Sequence, residues 1–463
     1  AQAEAAGDLQ VSYHAGLVSA REEKALGVNV NFDPCVDILY NWRNTIVNTR
    51  AYGTDAETVI KYTNAYLDGL TAENGENMED GVIQCIKHFP GDGTEERDQH
   101  LVLGVNELSP EEWRASFGKV YQNHIDRGVE MIMAGHIAVP ALQKELNPAL
   151  EDKDIMPATL AEELIQDALK TELGFNGLVI TDATHMLGMT SAMRREDYVP
   201  KSIAAGCDMF LFFNNIAEDF GFMLKGYQNG VITEERLTDA LRRILGLKAK
   251  LHLPEKQANG TLLRTREDLN VIGCEEHLQW RAEAADKGIS LIKDTQNNLP
   301  INPVDHKRIR LYMLEGEKGG ITDNGSKAQQ LFVDELTKRG YEVTVNERGS
   351  RVKGATLKYR DEVDFALEVA DIAGYGAQNN YRIQWSTAMA NEVPWFVWEV
   401  PHAFVSLNFT THLHDATMVK TFVNAYHNNE ETIKQVIDKL EGKSEFKGGH
   451  NDLVWTDKWQ AKL

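Results

Sequence analysis

The sequence predicts an α/β protein in two domains, a run of consecutive parallel βα units followed by an open α/β domain. Three observations carry this. Short apolar runs alternate with amphipathic stretches from about residue 12 to residue 250, the apolar periodicity lapses over 253–270, and a second strand–helix series follows. A chain of 463 residues is also too long for one ordinary core and suits two. The expected division is a βα domain over 1–252, a linker over 253–274 and a second domain over 275–463.

Strands of the first domain are expected at 28–38, 82–88, 130–136, 177–183 and 207–213, each ending in or beside polar residues. Ser109-Pro110-Glu111-Glu112 supplies an N-cap, a proline at the first helical position and a reciprocal glutamate, so a helix should begin there. Thr159-Leu160-Ala161-Glu162 reads as a second capping box, with Leu160, Leu164, Ala168 and Leu169 on one face and Gly174 as a C-cap. The stretch LPEKQANGTLLRTREDLN reads as the linker. Beyond it come a helix over 275–287, strands at 289–292, 309–314 and 341–346, and a helix around 327–339. A last helix over 430–440 has Asn429 as its cap and Ile433, Val436, Ile437 and Leu440 on one stripe.

Composition excludes some partners. With 48 Lys and Arg against 70 Asp and Glu, the net charge of −22 repels phosphate backbones and anionic lipid, so neither nucleic acid nor a membrane surface is expected as a partner. Cys35, Cys85, Cys207 and Cys274 lie far apart without CxxC pairing; they read as reduced thiols, and no metal or other cofactor is expected. Apolar runs such as 209–213 are far shorter than the roughly 20 residues a spanning helix needs. The opening AQAEAAGDLQ has no basic flank or apolar core, and the expected location is the cytoplasm.

In a βα barrel, chemistry gathers where strands end, because the loops at their carboxyl ends converge on one face. The strand-end residues here are Asp37, Lys87-His88, His136 and Asp182, with Arg50 in the loop after the first strand. Residues 87–100, KHFPGDGTEERDQH, leave a strand into a glycine-containing, carboxylate-rich loop that closes on Asp98-x-His100. Alternatives are open for each: the loop is a solvated connection or a catalytic one, and Asp182 faces a site, caps the next helix or pairs with a lysine. His136 is either a site residue or a satisfied core histidine; His185, three residues past Asp182, reads as a neighbour of the site. Trp385, Trp395 and Trp398 line a sugar subsite or pack within the second domain. A retaining glycosidase needs a carboxylate nucleophile and a proton donor to the leaving oxygen, and a histidine oriented by aspartate can donate near neutral pH.

These motifs resemble glycoside hydrolase family 3, specifically its β-N-acetylglucosaminidase branch of two-domain type. The shared pattern is the Lys-His-Phe-Pro-Gly-x-Gly loop running to Asp-x-His, a Thr-Asp strand end followed by Met and Gly, and Asn48-Thr49-Arg50-Ala51-Tyr52-Gly53. The resemblance implies Asp182 as nucleophile, His100 as acid/base and Asp98 as its orienting partner, with Arg50, Lys87, His88, His136 and Met186 binding the sugar. It also implies a (β/α)8 TIM-type barrel followed by an α/β sandwich. With five strands visible, about three N-terminal βα units are expected to be absent from the chain or supplied as a separate chain, and a homodimer is a further expectation. Asp92 departs from the usual histidine of Pro-Gly-His-Gly and is expected to add negative charge beside the catalytic loop. The implied activity is release of terminal β-linked N-acetylglucosamine; the alternatives are a phosphorylase of such glycosides and an inactive sugar-binding relative.

Overall fold

The computed structural model describes residues 1–75, 78, 81–316, 326–373 and 381–463. The chain divides into two compact units between Leu278 and Gln279, with residues Ala1–Asp8 belonging to the C-terminal one.

The unit Leu9–Leu278 is built on a parallel sheet. Its strands β1 (Val30–Asn31), β2 (Ile83–Phe89), β4 (Met131–Ala134) and β6 (Leu178–Thr181) lie side by side in that order. A separate parallel pair joins β3 (Gly104–Val105) to β5 (Ile137–Ala138). The first strand is far shorter than expected because Pro34 has no N–H to give the ladder; pairing resumes only as a bridge between Cys35 and Lys87. The expected fifth strand over 207–213 is reduced to one parallel bridge, Ile180 to Met209. There the Thr181 hydroxyl, rather than a carbonyl, takes the Leu211 N–H at 2.9 Å, and Phe212 turns left-handed at φ 59°.

Helices cover this sheet, with the largest buried apolar cluster running from Val36 and Ile86 through Phe117 and Leu164 to Val179. The helix Pro110–Trp113 opens on the expected capping box, Ser109 accepting from Glu112 N and Glu112 returning the bond. Its Trp113 is fully buried, stands edge-on to Phe89, and donates from Nε1 to Pro90 O at 2.9 Å, which pins the start of the 90–104 loop. Burying side chains of this size contributes on the order of 2–3 kcal/mol each. The second expected capping box does not form. Thr159 sits in a 3₁₀ turn, Ala158–Leu160, and its hydroxyl meets the His136 ring instead; the following helix, Glu163–Glu172, is wound with π spacing and has no side-chain cap. The expected linker holds a short helix, Leu253–Asn259, whose proline is tolerated in the first turn and whose end is closed by Gly260 at φ 69°.

Two helices of this unit, Ile216–Gln228 and Glu234–Lys250, keep apolar side chains in solvent, among them Ile216 at 65%, Phe220 at 68% and Leu245 at 60% exposure.

The C-terminal unit has a six-stranded sheet in the order β7-β12-β11-β10-β8-β9, with β7 (Ser290–Asp294) antiparallel to β12 (Thr421–Asn424). The others, β8 (Arg308–Glu315), β9 (Glu342–Val345), β10 (Phe365–Asp371) and β11 (His402–Ser406), pair in parallel with their neighbours. Strand β10 is buried along its whole length, as a central parallel strand should be. Helix Glu430–Leu440 is capped by Asn429, which accepts from Thr432 N, and buries Ile433, Val436, Ile437 and Leu440. Trp395 packs on Tyr359 at 4.8 Å between ring centroids, and Trp385 packs against a buried cluster, whereas Trp398 is 73% exposed.

Among the described residues, no helix is long and apolar enough to cross a membrane.

Candidate active site

Three neighbouring strands deliver the site. In the pairing of β2 with β4 the register runs Ile86 to Ile132 and then Phe89 to Ala134, so two residues, Lys87 and His88, oppose Met133 alone. Such a bulge re-aims side chains at a strand end. The Lys87–His88 and Phe89–Pro90 peptides are both cis. Strand β6 keeps strict register with β4 as far as Thr181, and the Asp182 N–H then donates to Ala134 O at 2.8 Å. The backbone of Asp182 is thereby fixed by the ladder while its side chain leaves the sheet, 14% exposed.

Around the Asp182 carboxylate, Oδ1 accepts from the Ala183 N–H at 2.7 Å and Oδ2 lies 3.9 Å from His88 Nε2. Burial alone would raise its pKa; the facing imidazoles of His88 and His136 and the Ala183 amide outweigh that and hold it below the ordinary carboxylate value. Arg50, in the 3₁₀ turn Asn48–Arg50, brings Nη2 to 3.3 Å from His88 Nε2, while Nη1 donates to Ile46 O at 3.3 Å. Lys87 lies with its ammonium 3.7 Å from the exposed Asp33 carboxylate.

His100 closes the loop. Asp98, wholly buried, uses Oδ1 to accept both from His100 Nδ1 at 2.6 Å and from the His100 backbone N–H at 2.8 Å. The ring is the more open partner, with a third of its side chain in solvent. Burial lowers its basicity, but the bond to Asp98 and the Asp98 and Asp182 charges together raise its pKa above the ordinary histidine value. The loop is tied to the segment beyond Asp182: Leu187 N–H donates to His100 O, and Gly188 N–H to Gln99 O, both at 3.0 Å. A Cβ at Gly188 would stand 2.8 Å from both Gln99 O and the His136 Cβ, so only glycine permits this approach.

Other expected site residues lie deeper. His136 is fully buried and satisfied: Nε2 bonds to Ala183 O and Nδ1 to the Thr159 hydroxyl, each at 2.9 Å, and its N–H donates to Gln99 Oε1 at 2.7 Å. Both ring nitrogens are thus engaged within the protein, one of them on the Asp182 turn, which is the arrangement of a satisfied buried histidine. Met186 is 2% exposed and braces the same turn through its N–H to Ala183 O. His185 is exposed, beside the Phe212 ring. Asp92 does not carry the expected negative charge at neutral pH, because burial, reinforced by the neighbouring Asp37 carboxylate, pushes its pKa up to about 8. It accepts from Asn44 Nδ2 at 2.9 Å and from Gly93 N–H at 2.6 Å.

Sequence reasoning placed Asp37 at a strand end without giving it a role, and passed over Gln99 and Asn44. Asp37 is fully buried and receives His88 Nδ1 at 2.7 Å. Cys35, Asp37 and His88 have potential metal-ligand atoms within 4.8 Å of one another. Their polar atoms already serve each other, Cys35 Sγ and His88 Nδ1 both bonding to Asp37 Oδ2, so a cation there would have to displace both bonds.

Comparison with known proteins places the chain in a family. Residues 2–247 match the Glycosyl hydrolase family 3 N terminal domain. A β-N-acetylglucosaminidase/β-glucosidase of Cellulomonas fimi is 40% identical over 454 residues, covering 97% of this chain and 78% of that protein. β-Hexosaminidase A of Pseudoalteromonas piscicida is 28% identical over 62% of this chain and 48% of its own length. Among solved structures, the β-glucoside phosphorylase BglX superposes with a TM-score of 0.92 at 37% identity, covering all of this chain and 81% of that one. The chain belongs to glycoside hydrolase family 3, and it is a glycosidase by that membership.

Proposed function

We propose that this chain carries the catalytic machinery of a retaining β-glycosidase that releases terminal β-linked N-acetylglucosamine, with Asp182 as nucleophile and His100 as acid/base. One observation carries the reading: the loop that ends in the Asp98-held His100 is tied by backbone bonds to the segment just beyond Asp182, and the two groups are pushed in opposite directions, Asp182 towards its anion and His100 towards its protonated form. Near neutral pH that supplies a carboxylate to attack the anomeric carbon and a proton for the leaving oxygen. After the first step, His100 is the base that takes a proton from the incoming acceptor, with Asp98 holding its Nδ1 throughout. Arg50, Lys87 and His88 are the groups we assign to the sugar hydroxyls. The N-acetyl preference is supported by the name of the Cellulomonas fimi relative, which also includes β-glucosidase.

We read the catalytic unit as part of a (β/α)8 TIM-type barrel that further βα units complete. The exposed apolar sides of helices Ile216–Gln228 and Glu234–Lys250 support this, since such faces normally pack on neighbouring helices.

A second reading is favoured by the name of the BglX neighbour: phosphate, rather than water, accepts the glycosyl group. A neutral imidazole base leaves less negative charge beside the attacking oxygen than a carboxylate would, which suits an anionic acceptor. The test is product analysis on aryl β-N-acetylglucosaminide and aryl β-glucoside, with and without phosphate. Free sugar of β configuration at first release supports the hydrolase; a sugar 1-phosphate formed in phosphate supports the phosphorylase; α-configured free sugar at first release overturns the retaining mechanism.

A further inference from the structure

The site contains two aspartate–histidine pairs of the same local geometry, and their surroundings give them different duties. In both, a buried carboxylate holds Nδ1, at 2.6 Å for Asp98–His100 and 2.7 Å for Asp37–His88. What differs is the far side of the ring. His100 is a third exposed, whereas His88 Nε2 faces Arg50 Nη2 at 3.3 Å.

The Asp37 carboxylate is used to capacity. Oδ1 accepts the backbone N–H of His88 at 3.2 Å and of Asp92 at 2.8 Å; Oδ2 accepts from His88 Nδ1 at 2.7 Å and from Cys35 Sγ at 3.0 Å. An ionised carboxylate has no proton to offer, so the hydrogen between Oδ2 and Nδ1 belongs to the imidazole. Burial would favour protonated Asp37, but four donors, His88 Nδ1, Cys35 Sγ and the amides of His88 and Asp92, occupy its two oxygens and favour the ionised form. At Nε2 the argument reverses. A guanidinium has only donors, so a hydrogen on Nε2 would meet an Arg50 N–H head-on, and Asp182 Oδ2 at 3.9 Å is too far to accept it. The arrangement is satisfied by one species, a neutral ring protonated at Nδ1.

We propose that Asp37 is a positioning residue that locks His88 as the neutral Nδ1–H tautomer, so that the Nε2 lone pair accepts from Arg50 and fixes the guanidinium that meets the bound sugar. Its second duty, holding the Asp92 amide, seats the start of the catalytic loop on the same carboxylate. The binding half of this inference rests on the reading of Arg50 as a sugar-contacting residue; the tautomer half does not.

The test is solid-state nitrogen NMR of enzyme labelled with ¹⁵N-histidine, with the His88 signals identified by their loss in His88→Gln. At pH 7 the wild-type His88 should show a protonated Nδ1 and a bare Nε2; an imidazolium, or a hydrogen on Nε2, overturns the proposal. In Asp37→Asn, an amide N–H2 faces Nδ1 while the amide oxygen keeps the backbone donors, so the tautomer should reverse. KM for aryl glycosides should then rise about 10- to 100-fold, the effect of leaving a buried donor and acceptor mismatched, with a smaller change in kcat. An unchanged tautomer with unchanged KM in a folded Asp37→Asn contradicts it. Should that variant fail to fold, the wild-type spectrum decides alone. Because the ring is read in the resting enzyme, a nucleophile other than Asp182 would leave this result untouched.

Discussion

Replacing Asp98 by asparagine removes the charge from a partner that is wholly buried and sits 2.6 Å from His100 Nδ1. A hydrogen bond to a charged group contributes about 1.5–3 kcal/mol, and about 1.4 kcal/mol corresponds to one pKa unit or tenfold in rate. The bond and the Asp98 charge both favour imidazolium, so their loss moves the His100 pKa down, towards the value burial alone dictates. As general acid, His100 must be protonated in the free enzyme. The alkaline limb of kcat/KM should therefore move to lower pH, with a loss of about 10- to 100-fold on that side, while the acidic limb, set by Asp182, stays in place. The assay is a pH profile with an aryl N-acetylglucosaminide of poor leaving ability, where proton donation limits the rate. Loss of activity by the same factor at every pH, with the alkaline limb unmoved, would refute the electrostatic role and leave Asp98 as a purely structural support.

Three further predictions follow from the same geometry. Asp182→Asn should abolish turnover of every substrate, whereas His100→Ala should spare the first step with activated aryl glycosides and cripple it with a disaccharide; equal losses on both substrates in His100→Ala would make His100 a binding residue. Asp92 has a raised pKa, so its contribution to stability is full below the ordinary carboxyl value and is lost as pH rises through about 8. Asp92→Asn should accordingly raise Tm most at pH 9, less at pH 5, and change it little below pH 4; a lower Tm at all three would show that the carboxyl itself is needed. Phe220→Ser, on the exposed side of Ile216–Gln228, should change the stability of this chain by no more than about 0.5 kcal/mol in denaturant titration. A loss above about 2 kcal/mol would mean that the side chain is covered in solution.

Much of this site was legible because strand ends announce themselves: apolar runs stop at Lys87-His88, Gly135-His136 and Asp182, and the structure brings these ends to adjacent positions on β2, β4 and β6. The Asp98–His100 pair was legible because its partners are two residues apart. Roles that depend on distant partners were not. Asp37 meets His88 across 51 residues and Asp92 across 55, and no local pattern distinguishes it from any other strand-end carboxylate. Asp92 looked like added charge because burial, which neutralises it, is a property of the folded site. Thr159 carried a sound capping signature, yet a buried imidazole needing a partner outcompeted the helix end for its hydroxyl. The 207–213 run was apolar enough for a strand, but Thr181 offered a side-chain acceptor in place of the next ladder bond.

The central claim is the covalent bond at Asp182, and trapping it is the most direct test. A 2-deoxy-2-fluoro-β-glucosyl donor with a good leaving group slows the second step more than release of the first product, so a retaining enzyme accumulates its glycosyl adduct. Peptide mapping by mass spectrometry should then place one fluoroglucosyl group on Asp182, in the peptide containing Thr181-Asp182-Ala183, with no adduct in Asp182→Asn. An adduct on another residue, or full turnover of the donor with no adduct at any time, would contradict the account.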